Sequence, residues 1–305
     1  MAEALTRATG AARAAAGRRA HYRRRYWAFA LPAAAIVLAV IVFPWLFTLY
    51  MSVHEWEPSG GALFMGLGNY LKLAADARFA WAILRTLYFA ALAVAAPVIL
   101  GVAAALAFNE RFPLRGLART VFILPMMATP VAIALVWSMM FHPQLGVLNY
   151  LLSALGLPPA SWTYSADTVI PTLALVETWQ WTPLVMLIVL GGLASLPRDP
   201  YEAALLDGAG AWQTFRHITL PLIWPFIVVA GVIRTIDALK SFDVIYVITQ
   251  GGPGTASETI NIFLYQQAFA YYHLGYAGAV TVVFFILIIA VSLVLLAMRQ
   301  RAKWQ

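Results

Sequence analysis

Side chains able to do chemistry are scarce in this 305-residue chain, so those that fall inside its apolar runs carry most of the information. Glu177-Thr178-Trp179-Gln180-Trp181-Thr182-Pro183 is the densest such group. It begins about eight residues into a long apolar run, roughly 12 Å deep at the helical rise. On a helix Glu177 and Gln180 share a face at i, i+3, and Trp181 follows at i+4. A carboxylate and an amide hydrogen-bond hydroxyl groups, and an indole stacks on the apolar face of a sugar. At membrane depth such groups are costly unless they meet a cavity, a solute or one another. Two readings of Glu177 stand side by side: contact with a solute, or pairing with a buried cation such as Arg234. Trp179 is left to face lipid or a partner helix. Arg234 and Asp237 form a second polar pair at i, i+3, with Lys240 and Asp243 just beyond. An internal ion pair is the expected arrangement there, with gating or contact with a partner protein as the alternative. Pro183 removes one backbone hydrogen bond and permits a kink beside this path.

Catalysis has no comparable footing. His21, His54, His142, His217 and His273 are scattered through separate loops and ends without metal-ligand spacing. The absence of cysteine excludes disulfides, thiol catalysis and cysteine metal sites. A phosphate-cradling loop needs a Gly-rich turn followed by Lys and Ser or Thr. Lys72, Lys240 and Lys303 follow Leu71, Leu239 and Ala302, so no such loop is present. The chain is therefore not expected to bind a nucleotide in this way or to be an enzyme. Gly251-Gly252-Pro253-Gly254 has no strand before it and is expected as a flexible outer loop.

The elements that position these residues are membrane helices. With 62% hydrophobic and 11% charged residues and a mean hydropathy of +0.79, the chain cannot form a soluble globular domain. Six apolar runs, at 27–51, 81–107, 121–141, 169–193, 220–239 and 276–298, each approach the ~20 residues a helix needs to cross a bilayer. The first exceeds a signal-peptide core and is expected to stay uncleaved. The charges set the topology. Fifteen of the twenty Lys and Arg fall in residues 1–25, 108–120, 194–219 and after 298, whereas 142–168 contains none. By the positive-inside rule both termini and the 194–219 loop are cytoplasmic. Two units follow: a basic tail over 1–25 and a six-span domain over 26–305. The tail's seven arginines favour retention in the cytoplasm and contact with anionic lipid, and nucleic acid is the weaker alternative.

One polar island interrupts the apolar sequence. In 200–221 Asp199 is placed to cap a helix, Pro200 suits its first position and Glu202 falls where a capping-box acid reaches back. Asp207-Gly208 is a turn dipeptide, and glycine permits the positive φ that ends one helix so that another starts. Trp212 and Phe215 share a face before Pro221 and Pro225 open the next apolar run. The expectation is two short helices joined by a sharp turn, a compact knuckle at the membrane surface.

This island resembles the cytoplasmic coupling loop of permease subunits in bacterial ABC importers. Those subunits carry Glu-Ala-Ala, three residues, Gly, and about nine further residues to Ile-x-Leu-Pro. Here Glu202-Ala203-Ala204, Asp207-Gly208-Ala209 and Ile218-Thr219-Leu220-Pro221 stand at those places. The spacing is similar to the carbohydrate importers of the maltose and glycerol-phosphate type. Gly66-Leu67-Gly68-Asn69-Tyr70, Arg119-Thr120, Leu124-Pro125, Val136-Trp137, Gly146 and Asn149-Tyr150 continue the resemblance. Phe242 to Tyr246, Thr249 to Gly254, Tyr265, Phe269 and Gly275-Tyr276-Ala277 extend it into the last run. Arg85 departs from it, because the family usually has Asn before Thr86.

The resemblance implies an all-α fold of six transmembrane helices in a bacterial inner membrane and the import of a sugar, polyol or related hydroxylated solute. It implies an assembly with a second permease subunit (most often a different chain), two ATPase subunits and an extracytoplasmic solute-binding protein. The knuckle then docks into the ATPase: Glu202 makes polar contacts, Ala203 and Ala204 give a small face, and Asp207 ends the first helix. Gly208 makes the tight turn, with Ala209 and Phe215 beside it. Glu177, Trp179, Gln180, Trp181, Arg234 and Asp237 are the candidates for the solute path. A secondary, ion-coupled carrier is the rival reading. Glu177 and Asp237 are the only coupling acids it could use, and it leaves the Glu-Ala-Ala loop without a purpose.

Overall fold

The computed structural model describes residues 29–57 and 61–301, so the basic tail at 1–25 and Lys303 lie outside the described residues. Its helices, in order, are α1 (Phe29–Ser52), α2 (Gly68–Ala75), α3 (Ala77–Asn109), α4 (Arg115–Met127) and α5 (Pro130–Met140). After these come α6 (Val147–Ala154), α7 (Val169–Ala194), α8 (Asp199–Leu206) and α9 (Ala211–Leu239). The last are α10 (Asp243–Thr249), α11 (Ile260–Tyr265) and α12 (Leu274–Arg301). Five of them, α1, α3, α7, α9 and α12, are long and apolar enough to cross a membrane. The bent pair α4–α5 passes the same test only when its two halves are taken together, which brings the candidate spans to six. An antiparallel hairpin, β1 (His54–Glu57) with β2 (Gly61–Phe64), pairs His54 with Phe64 and is the one sheet among the described residues.

Helices α3, α7 and α9 make the centre of the molecule, and α3 and α7 pack along one another most extensively. Asp76 starts α3, its Oδ1 accepting from the backbone of Arg78 (2.8 Å) and Phe79 (3.3 Å). Farther along, Gly101 lets α3 approach α7: a Cβ there would stand 2.6 Å from Val185 Cβ. Gly101→Ala is therefore expected to destabilise the fold by about 1–3 kcal/mol. A lower thermal unfolding midpoint in detergent checks this, and an unchanged midpoint would mean that the two helices separate freely at that level.

The outer spans bury much less. Helix α1 rests on α12, with Trp45 and Phe285 rings 4.2 Å apart, and leaves Phe29, Val40 and Phe43 exposed. Apolar surface turned outward is stable here because lipid tails are as apolar as a protein core. Asn69 fastens the C-terminal end of α1, its amide donating to Ser52 O (3.0 Å) and His54 O (2.9 Å).

Three expectations need correction. The run 121–141 is not a straight span: its two halves meet at 97° across Ala128-Thr129. Pro130 lacks an N–H and pushes Thr129 into extended backbone, ψ 142°, so the helix must break. Second, the 200–221 island does not hold two separate short helices. Only α8 is short, and the second helix runs through one wide turn at Phe215–Thr219 straight into the fifth span. Asp199 is the first residue of α8, preceded by Arg198 at the cap position, and neither Asp199 nor Glu202 caps it with a side chain. Third, the Gly251–Gly254 loop is tied down rather than free. Ser257 Oγ bonds Thr249 Oγ1 (2.8 Å) and Gly252 O (2.7 Å), and Arg85 Nη2 reaches Thr255 Oγ1 (3.3 Å). Arg78 clamps the adjoining Glu258 with two bonds, 2.9 and 2.7 Å.

Candidate functional site

Two groups of polar residues lie on α9, one at each end. At its N-terminal end α8 closes in a paired turn. Gly208 N–H donates to Leu205 O (3.2 Å) and Ala209 N–H to Ala204 O (2.9 Å), with Gly208 at φ +72°. This is the Schellman arrangement, which satisfies the last carbonyls of a helix and demands a left-handed residue at the glycine. Gln213 Oε1 then accepts from Gly210 N–H (2.9 Å) and starts α9. Tyr201 O–H to Thr219 Oγ1 (3.2 Å) holds the knuckle against the wide turn of α9.

The knuckle presents apolar surface to its surroundings. Leu205 is 78%, Leu206 89% and Trp212 68% exposed, and Trp212 leans on Phe215 with ring centroids 5.5 Å apart. Beside them Ala203, Ala204, Asp207, Ala209, Gln213 and His217 line a cleft of about 490 Å³. Glu202, Ala203, Asp207 and Gly208 are exposed, whereas Ala204 is buried and Ala209 and Phe215 are half-buried. A Cβ on Gly208 would meet nothing within 4 Å, so within this chain only its backbone conformation requires glycine.

Toward the other end of α9 the ionisable residues gather inside the bundle. Arg234 Nη2 lies 2.9 Å from Glu177 Oε2 on α7, and both side chains are buried. The same Nη2 donates to Ala93 O of α3 (3.2 Å), and Ser241 Oγ donates to Glu177 Oε1 (3.1 Å). The guanidinium also sits over the Trp181 ring, 5.1 Å from its centroid. One ion pair thus ties three spans together, and Glu177 takes the pairing arrangement of its two readings. Arg234 does not pair with Asp237, as the i, i+3 spacing had suggested: Asp237 is half-buried and has no side-chain partner among the described residues. Gln180 is buried and donates to Ala128 O (3.4 Å), a carbonyl stranded where α4 breaks. Trp179 faces away from this group, 46% exposed and edge-on to Trp137 at 5.6 Å.

Residues 97–303 match the family described as binding-protein-dependent transport system inner membrane component. The chain belongs to this family. The trehalose/maltose transport system permease protein of Thermococcus litoralis is 36% identical over 272 residues, 87% of this chain and 90% of that one. The sulfoquinovosyl glycerol transport system permease protein of Agrobacterium fabrum is 35% identical over 268 residues, 87% of each. Among solved structures, a bacterial alginate ABC transporter in complex with an alginate pentasaccharide-bound periplasmic protein has the same fold. Its TM-score is 0.81 at 23% identity, over 92% of this chain and 96% of that one. The chain is a multi-pass inner-membrane permease subunit of an ABC importer, a transport subunit rather than a known enzyme.

Some members of the permease's inner site were not marked by the sequence. Ser241 reads as a loop serine, yet it supplies the second bond to Glu177. Asn261 donates to Leu239 O (3.1 Å) and Ser241 O (3.2 Å), closing the end of α9. An Asn four residues after Ser257 resembles any polar loop residue, so its signal lay only in the unsatisfied carbonyls that every helix end leaves.

Proposed function

We propose that this permease forms half of the path of an ATP-driven, binding-protein-dependent importer for a sugar, polyol or related hydroxylated solute. The supporting observation is the continuity of α9. One helix starts in the knuckle at Ala211, runs to Leu239 and carries Arg234 into the ion pair with Glu177. At 1.5 Å per residue it is about 43 Å long, enough to carry a push on the knuckle to the far side of a bilayer. In this reading two ATPase subunits, which bind ATP and Mg, grip the knuckle from the cytoplasm, where both termini also lie. A second permease subunit, most often a different chain, completes the path, and an extracytoplasmic binding protein delivers the solute. Closure of the ATPase pair rotates α8 and α9 together and opens the cavity outward, and hydrolysis returns it inward. The hydroxylated-solute assignment rests on the named cargoes of the relatives and on the indole, amide and carboxylate groups at membrane depth.

The test is purification of the tagged chain from its native membrane, followed by uptake in vesicles. An ATPase, a second permease and a binding protein should co-purify, and uptake should require hydrolysable ATP. Uptake that continues on an ion gradient with the ATPase sites disabled would instead make it a secondary carrier.

A further inference from the structure

Asp237 is a carboxylate that the buried ion pair leaves over. It lies in the outer part of α9, three residues after Arg234, half-buried and without hydrogen bond or ion partner among the described residues. Arg234, its one cationic neighbour on the helix, is taken by Glu177 and by the Trp181 ring. At the helix end Lys240, three residues after Asp237, and Asp243 are both exposed, and among the described residues neither makes an ion pair with it. Glu177 and Arg234 satisfy one another, so Asp237 remains without a paired charge among the described residues. The strip of α9 that carries it is otherwise apolar and partly open: Val229, Ile233 and Ile236 are exposed to intermediate degrees, Ile233 to 39%. A lone carboxylate on such a strip is not stable against hydrocarbon, so it must face water or a polar solute.

We propose that this strip lines the solute path and that Asp237 sets its charge selectivity, admitting neutral polyhydroxyl solutes and excluding anionic ones such as uronates and sulfonates. The proposal rests on the importer reading above and goes beyond it, because the fold alone does not fix cargo charge. The alginate importer that shares this fold handles an acidic polysaccharide, whereas another relative is named for trehalose and maltose. A carboxylate accepts hydrogen bonds from sugar hydroxyls and repels a second carboxylate. In a narrow passage with low-dielectric walls that repulsion is focused onto whatever passes.

The chain lacks cysteine, so the test needs no prior engineering. A single Ile233→Cys variant places a thiol one helical turn from Asp237, about 6 Å away between Cβ atoms. In membranes containing the whole transporter, the thiol is treated with a trimethylammonium-bearing and a sulfonate-bearing methanethiosulfonate, from the outer and the cytoplasmic side in turn. Rates are read as a gel shift of this chain and divided by those of a small thiol in water. The cationic reagent is expected to be favoured about tenfold, the effect of one nearby carboxylate on two opposite charges in a wet setting. Asp237→Asn in the same background should bring the ratio close to one. A thiol that reacts with a ratio unmoved by Asp237→Asn overturns the selectivity and leaves the path in place. A thiol inert to both reagents from both sides overturns the wet strip as well. Neither result bears on whether uptake needs ATP, so the importer reading stands or falls separately.

Discussion

Gly208→Val is expected to lower solute uptake at least tenfold while the permease still folds and assembles. Gly208 sits at φ +72° in the turn that closes α8, a conformation that costs a residue with a side chain about 1–2 kcal/mol and a β-branched one more. That is too little to unfold a six-span protein, and nothing within 4 Å would clash with the added Cβ. It is enough to shift a surface turn whose two hydrogen bonds, from Gly208 and Ala209, set the angle between α8 and α9. The added methyls also protrude from an exposed face beside Leu205, Leu206 and Trp212, where an ATPase would have to seat. ATP hydrolysis by the assembled complex should continue without responding to the loaded binding protein. Gly208→Asn separates the two causes, since Asn tolerates the left-handed region but still adds bulk. Partial uptake with Asn and none with Val would assign the loss to backbone angle. Equal loss in both would assign it to the docking surface. Full uptake in the Val variant would mean the knuckle does not transmit force.

Why one helix joins the knuckle to the ion pair was only partly legible in the sequence. Each apolar run falls on a long apolar helix or on the bent pair, because hydropathy over ~20 residues reports membrane crossing directly, but the helix under the fifth run starts nine residues earlier, at Ala211. Hydropathy carries no direction, however, and so 121–141 reads the same whether straight or bent. The break depended on Thr129-Pro130, a local signal overridden in the reading by the apolar length around it. The same blindness split 200–221 in two. Glycines and prolines there suggest punctuation, yet Pro221 and Pro225 lie inside a helix that continues from Ala211. A helix tolerates them where neighbouring turns take up the freed carbonyls. Gly208 was readable because a positive φ is a property of one residue. Gln180 was not, because its amide serves a carbonyl 52 residues away that exists only once α4 breaks. For Arg234 the local rule of i, i+3 pointed to Asp237, and the better-buried partner on another helix prevailed. A polar group at membrane depth announces itself in sequence, but its partner is a matter of packing between distant segments.

That packing makes the second large effect calculable. Glu177→Ala leaves the Arg234 guanidinium buried at 1% exposure with its Nε and Nη1 already without partners, so every compensation but Ala93 O and the Trp181 ring is lost. Removing one member of a buried pair costs about 3–5 kcal/mol, which should appear as a sharp fall in the unfolding midpoint or as failure to assemble. Glu177→Gln with Arg234→Met removes both charges and keeps the volume, and it retains an oxygen for the Ser241 hydroxyl. This double variant should recover most of the lost stability, within about 1–2 kcal/mol of the native chain, since a neutral replacement avoids desolvating two ions. The four-member cycle then gives the coupling energy directly, and a value near zero would mean the pair does not form in the membrane. Uptake by the stable double variant decides what the pair is for. If uptake survives, the ion pair only fastens α7 to α9 and the solute is handled by the half-exposed Trp181 and Asp237. If uptake is lost from a protein of normal stability, the charges themselves act in the path, and Glu177 exchanges Arg234 for the solute as the bundle opens.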